Sequence, residues 1–382
     1  MTTRRTFLII AGAAAGMSGC HALRRAPDPV AVPGVLIAET AGGLVVLDGT
    51  EIRDLGGRAA VSPDGTYVYA ATGATLAGPA ATTPLEDGWE PQVVSADGTA
   101  CVSRRAGELL VTRGDQQRRY EVPATVQPDA FTTDNAGLFV LEWLPPTDPD
   151  RYRVRLMDLT TGVRGPLLTK AKVPVPPGAE EEMRGEGRQA VLSPDRTILY
   201  TLYTHQAGHL HTRDLLAGRG GGEVHAFVHV LHLEQRWAYC LNLPHPFGEG
   251  PAESHALAVD RNRLAVVDGS SGSMAYASTE SLSIERVDPV PRGSGPASLA
   301  LAGSRAYVGM GAMVTVLDGG SSSRWTAPAP VRGLGLDVGA KPLFLGGTDE
   351  VHWVDAASGE ARGRVRVPGL LHLRHVVVHP GA

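Results

Sequence analysis

Three cysteines in 382 residues, aromatics at 5% and no apolar run long enough to cross a bilayer narrow the field before any motif is read. A permanent membrane helix needs about 20 apolar residues. Of the cysteines, Cys20 lies near the start, while Cys101 and Cys240 sit in distant segments, so no disulfide framework is expected. The few aromatics disfavour stacked sugar binding. Catalytic signatures are missing too. There is no HExxH and no cysteine pair at metal spacing. "DGSSGSMAYAS" from Asp268 fits no GxSxG frame, and "GRGGG" (Gly218 to Gly222) lacks the Lys-Ser/Thr of a phosphate loop. A formal charge of −5 without basic runs argues against nucleic acid as a partner.

What is present begins with "TTRRTFLIIAGAAAGMSGC", residues 2–20. Arg4 and Arg5 precede Phe7 and Leu8, and a short apolar stretch runs to Met17. This resembles a twin-arginine export signal. Met17-Ser18-Gly19-Cys20 resembles a lipobox, with Met17 where leucine is usual. The resemblance implies cleavage before Cys20, lipidation of Cys20 and anchorage on the outer face of the cytoplasmic membrane. Loss of Arg4 and Arg5 takes the formal charge from −5 to −7. Residues 20–34 are rich in Pro and Ala and read as a tether. Residues 35–382 read as one domain.

That domain repeats itself. "AAVSPDGTYVYAAT" from Ala59, "QVVSADGTACVSR" from Gln92, "AFTTDNAGLFVLEW" from Ala130 and "AVLSPDRTILYTLY" from Ala190 share one pattern: an apolar strand, a turn and a second strand. Looser copies start near Ala256, Ser298 and Gly335. Asp accepts backbone hydrogen bonds and Gly takes positive φ, so the chain reverses tightly. Third strands end in Asp-Gly turns, as in "LVVLDG" (to Gly49) and "VTVLDG" (to Gly319), and fourth strands follow. Four antiparallel strands per unit, repeated, give an all-β propeller.

The repeats resemble YVTN-type and WD40-like β-propellers, including the YncE-like exported family. Tyr67-Val68 and Tyr307-Val308 keep only the first half of the Tyr-Val-Thr-Asn signature. Innermost strands number seven, and "HVVVHP" (His375 to Pro380) makes an eighth with nothing after it. "VLIAETAGGLVVLDG" from Val35 has later strands but no innermost one. Pairing the two ends closes the ring. The expected count is eight blades, or seven if the thin unit from Ala59 to Gly88 is not a full one.

Three long connections fall on one predicted rim: 145–152, 171–188 and 204–225. Long loops on a rigid scaffold carry binding. Eight of the 13 histidines (His205, His209, His211, His225, His229, His232, His245 and His255) lie within about 50 residues here. His209 and His211 offer two imidazoles on one side of an extended chain. Adding His205 and His245 gives a candidate zinc or copper site. Glu180 to Glu182 read as a solvated loop, and His229 and His232 as strand residues. Two functions follow. The first is a non-enzymatic envelope module that presents the rim loops to a protein or small ligand. The alternative is a metal-binding enzyme or redox accessory built on the His-rich loop.

Overall fold

The computed structural model describes residues 31–72, 75–76, 84–220, 224–336 and 342–377. The expected export signal, Cys20 and residues 20–30 of the tether lie outside the described residues.

The repeated turn gives each unit its shape. In Ser62-Pro63-Asp64-Gly65, the Ser62 hydroxyl donates to Asp64 Oδ1 (2.6 Å) and the Thr66 amide donates to the same oxygen (3.1 Å). The same wrap recurs at Ser95/Asp97, Thr132/Asp134 and Ser193/Asp195. The residue after each Asp is left-handed: Gly65, Gly98, Asn135 and Arg196 have φ of 79°, 72°, 54° and 63°. The turn thus needs one left-handed residue, and Gly is not the sole solution.

These turns join antiparallel strands in radial sheets. Six sheets follow chain order, from Glu90–Val94 onward through Ala361–Arg366. A seventh is composite: Val32–Thr40 pairs with Gly43–Gly49 on one side and with Leu370–Val377 on the other. Ring closure by the two chain ends is therefore as expected, with Val35 opposite Val377 and Thr40 opposite Leu370. Leu36, Leu47 and Leu373 of this sheet pack on Phe344 and Trp353 of the preceding one, so Trp353 fills the gap between blades.

Among the described residues, the favoured count of eight blades is corrected to seven complete ones, and the unit from Ala59 to Gly88 shows a three-stranded sheet (Ala59–Val61, Val68–Ala70, Thr75–Leu76). Its strands are two or three residues long, and the segment beyond is rich in Gly, Ala, Pro and Thr.

Close backbone packing secures the closure. Gly333 has φ of 102°, and a Cβ there would lie 2.2 Å from the Leu373 carbonyl oxygen. Gly333→Ala is expected to destabilise the fold by roughly 2–4 kcal/mol, combining a left-handed non-glycine residue with overpacking. Chemical denaturation checks this, and a change under 1 kcal/mol would contradict it.

Candidate metal and ligand site

The third of the six sheets in chain order, built on Gln189–Leu192, Ile198–Tyr203, Phe227–His232 and Trp237–Asn242 with Leu168–Thr169 added at its edge, carries the histidine-rich loop. Side chains alternate along Phe227–His232. Phe227 and Leu231 pack with Phe139, Leu141 and Tyr152 of the preceding blade, whereas Val228 and Val230 pack with Leu257 and Val266 of the following one. His229 shares the face of Phe227. The four-residue turn Leu233–Arg236 sets the register, placing His229 opposite Cys240.

The three long connections meet over this face. The Tyr152 and Met183 backbones form an isolated bridge. The Gln206 side chain accepts from the Arg184 amide at 3.0 Å and donates to the Arg184 carbonyl at 2.8 Å. Arg151 donates to Glu182 at 2.5 Å. The expectation that these loops share one rim therefore holds.

Their meeting point is Glu181, whose side chain is 10% exposed. His211 Nδ1 lies 3.3 Å from its Oε2, His209 Nε2 3.6 Å from Oε2, and His229 Nε2 3.8 Å from Oε1. The Cys240 thiol donates to both oxygens at 3.3 Å. Two potential ligand triads result, Glu181–His209–His211 and Glu181–His229–Cys240, each with its donor atoms within 4.8 Å of one another. In a tetrahedral zinc site with bonds of about 2.0–2.3 Å, neighbouring ligand atoms stand roughly 3.3–3.7 Å apart. The separations from Glu181, 3.3–3.8 Å, fall close to that range.

The rings are held in place. His209 stacks on Phe227 with centroids 4.5 Å apart, and His211 meets the same ring edge-on at 5.0 Å. His209 Nδ1 lies 3.1 Å from the Glu182 carbonyl oxygen. A carbonyl can only accept, so Nδ1 carries the hydrogen. In neutral His209 the Nε2 lone pair then faces the Glu181 carboxylate. Two acceptors face each other, a conflict that only a proton on Nε2 or a cation between them relieves. His209 Nε2 and His211 Nε2 are both buried without a hydrogen-bond partner.

Electrostatics favour a cation here. Burial pushes the Glu181 carboxyl up, but the His209, His211 and His229 imidazoles around it hold it well below its ordinary range. Burial, then the Glu181 charge, pushes the Cys240 thiol well up. Burial pushes His229 down. The cluster thus brings together a carboxylate, a thiol and two imidazole nitrogens that lack hydrogen-bond partners.

Glu180 fixes the backbone beside it. Arg155 donates to its two oxygens at 2.9 and 2.6 Å, Arg153 donates at 3.3 Å, and Glu142 completes the network. Glu180→Ala is expected to destabilise the protein by about 1–2 kcal/mol, because Arg155 loses its two-pronged partner while Glu142 still pairs with both arginines. Thermal unfolding tests this; no shift in Tm would show the network to be idle.

Of the sequence candidates, His209 and His211 come together. His205 has φ of 58°, which ends the strand alternation, and its Nδ1 lies 2.8 Å from the Thr204 hydroxyl. His245 is 76% exposed and pairs with Glu249 at 2.8 Å. Neither reaches the Glu181 cluster. Glu181, His229 and Cys240 were not singled out from sequence.

Beside the cluster lies a cavity of about 630 Å³, lined by Glu181, His211, His229 and Cys240, by apolar side chains and by Lys170 and Arg213.

No family model matches the chain, and no curated protein matches it. Solved structures do. Apo AztD from Citrobacter koseri is 13% identical with a TM-score of 0.52, covering 91% of this chain and 97% of its own. A second AztD structure from that organism is 12% identical with a TM-score of 0.52, covering 88% and 95%. A functionally unknown protein from Desulfotomaculum acetoxidans is 12% identical with a TM-score of 0.45, covering 89% and 99%. The chain is a β-propeller. At such identity the likeness carries the fold and no activity.

Proposed function

We propose that this propeller is a metal-binding module of the cell envelope, holding one zinc ion at the Glu181 cluster. The single observation that carries the reading is the His209 Nε2 lone pair aimed at the Glu181 carboxylate, with its Nδ1 tied to a carbonyl. A mixed carboxylate, imidazole and thiol set suits zinc better than calcium or magnesium, which prefer oxygen. Glu181 is the common ligand, completed by His209 and His211 or by His229 and Cys240. When bound, zinc would supply Lewis acidity and an exchangeable position.

The twin-arginine-like segment agrees with this reading. A site buried under three loops is most readily filled as the chain folds, and a route for folded cargo keeps what was loaded. Lipid attachment at Cys20 would hold the domain on the outer membrane face.

Cobalt(II) is the test. It should bind stoichiometrically and give a thiolate-to-metal charge-transfer band that Cys240→Ser removes. Cobalt uptake without that band would exclude Cys240 as a ligand, and no uptake would reject the metal reading.

A further inference from the structure

We propose that the cavity beside the cluster binds a small amphiphile with an apolar tail and one anionic oxygen head, the head taking the open position on the bound metal. This rests on the metal reading above. Glu181, His229 and Cys240 all lie on the cavity wall, as does His211, whereas His209 is not part of its lining. An ion held by that triad has three protein ligands and leaves its fourth position toward the cavity, the arrangement of sites that exchange ligands.

The other walls define the tail. Leu167, Val175, Met183 and Ala238 line the interior. Val173 and Leu216 stand at the rim, 57% and 51% exposed, which is unusual for large apolar side chains. A volume of about 630 Å³ lies within the range of small-molecule sites.

Charge selects the head. Glu180 is neutralised by Arg153 and Arg155. Lys170 and Arg213 both sit over the Tyr239 ring, each 5.3 Å from its centroid, and both line the cavity. Among the described residues no carboxylate pairs with Lys170. The Glu181 carboxylate and Cys240 thiolate balance the ion, and Lys170 and Arg213 leave the polar end of the cavity positive, so a carboxylate fits and an ammonium does not.

The probe is a carboxylate series of butyrate, hexanoate and octanoate, titrated calorimetrically into full-domain protein preloaded with zinc and dialysed. Octanoate should bind, with affinity rising roughly fourfold per methylene until the cavity fills. Chelating the zinc should weaken octanoate at least about tenfold, and Leu216→Asp should weaken it about fivefold or more at unchanged zinc content. Zinc retained at one per chain with no octanoate binding, or with binding independent of chain length, overturns this proposal and leaves the metal site standing. Octanoate binding equally well after chelation overturns the metal-bound head. Failure to hold zinc at all sinks both.

Discussion

Glu181→Gln is expected to weaken zinc binding by at least about a hundredfold, because one carboxylate is shared by both ligand triads. Replacing a single histidine leaves the other triad intact, so His209→Ala alone should do less, roughly tenfold. His209→Ala with His211→Ala tests whether the loop triad or the strand triad dominates. Competition against a chromogenic chelator measures all three. The thermal readout runs in parallel: zinc at a thousandfold excess over Kd stabilises the wild type by about 4 kcal/mol, raising Tm by several degrees, and should barely shift Glu181→Gln. If Glu181→Gln binds zinc as tightly as the wild type, the cluster is not the site.

Truncation after Pro368 should prevent formation of a stable monomeric ring. It removes the strand Leu370–Val377 and with it buried Leu370, Leu373 and Val377, the pairing with Val32–Thr40 and the contacts to Phe344 and Trp353. The exposed edge of Val32–Thr40 would then invite association with other chains. Gel filtration and cooperative unfolding are the readouts; a monomer with unchanged Tm would show the closing strand to be dispensable.

The same strand makes stability sensitive to pH. Burial, with Arg374 beside it, pushes His375 down to about 4. In the unfolded chain a histidine protonates near its ordinary value of about 6.5. Between those values the unfolded state binds the extra proton, so this contribution is complete above about pH 6.5 and is lost as pH falls toward 4. His375 is only partly buried and lines the polar central channel, so solvent screening reduces the loss to about 1–2 kcal/mol. His375→Gln should flatten the decline in stability measured by denaturant titration across that interval.

The sequence showed most of the fold because each blade writes its own turn. Ser/Thr, Asp and a left-handed residue recur at fixed offsets, since the backbone reversal requires them. Closure was legible from an innermost strand without followers and later strands without an innermost one. The blade count was less so. A turn such as Ser62–Gly65 folds locally, but whether a unit completes four strands depends on the neighbouring surface it can cover.

The site was half visible. His209 and His211 stood out because they are adjacent and share a parity. Glu181 sits in a run of acids that reads as solvated, and nothing local says that Glu180 binds Arg153 and Arg155 while Glu181 turns inward. His229 and Cys240 become partners only through hairpin register, which the four-residue turn Leu233–Arg236 would have fixed. His205 and His245 had the right chemistry but the wrong backbone: one lies in a left-handed residue, the other on an exposed connection.

The most direct test is the metal content of the untagged protein purified from its native membranes, alongside Glu181→Gln made the same way. One zinc per wild-type chain and none in the variant is the expected result. A wild-type protein that carries no metal, and takes up none on dialysis against zinc, would contradict the account.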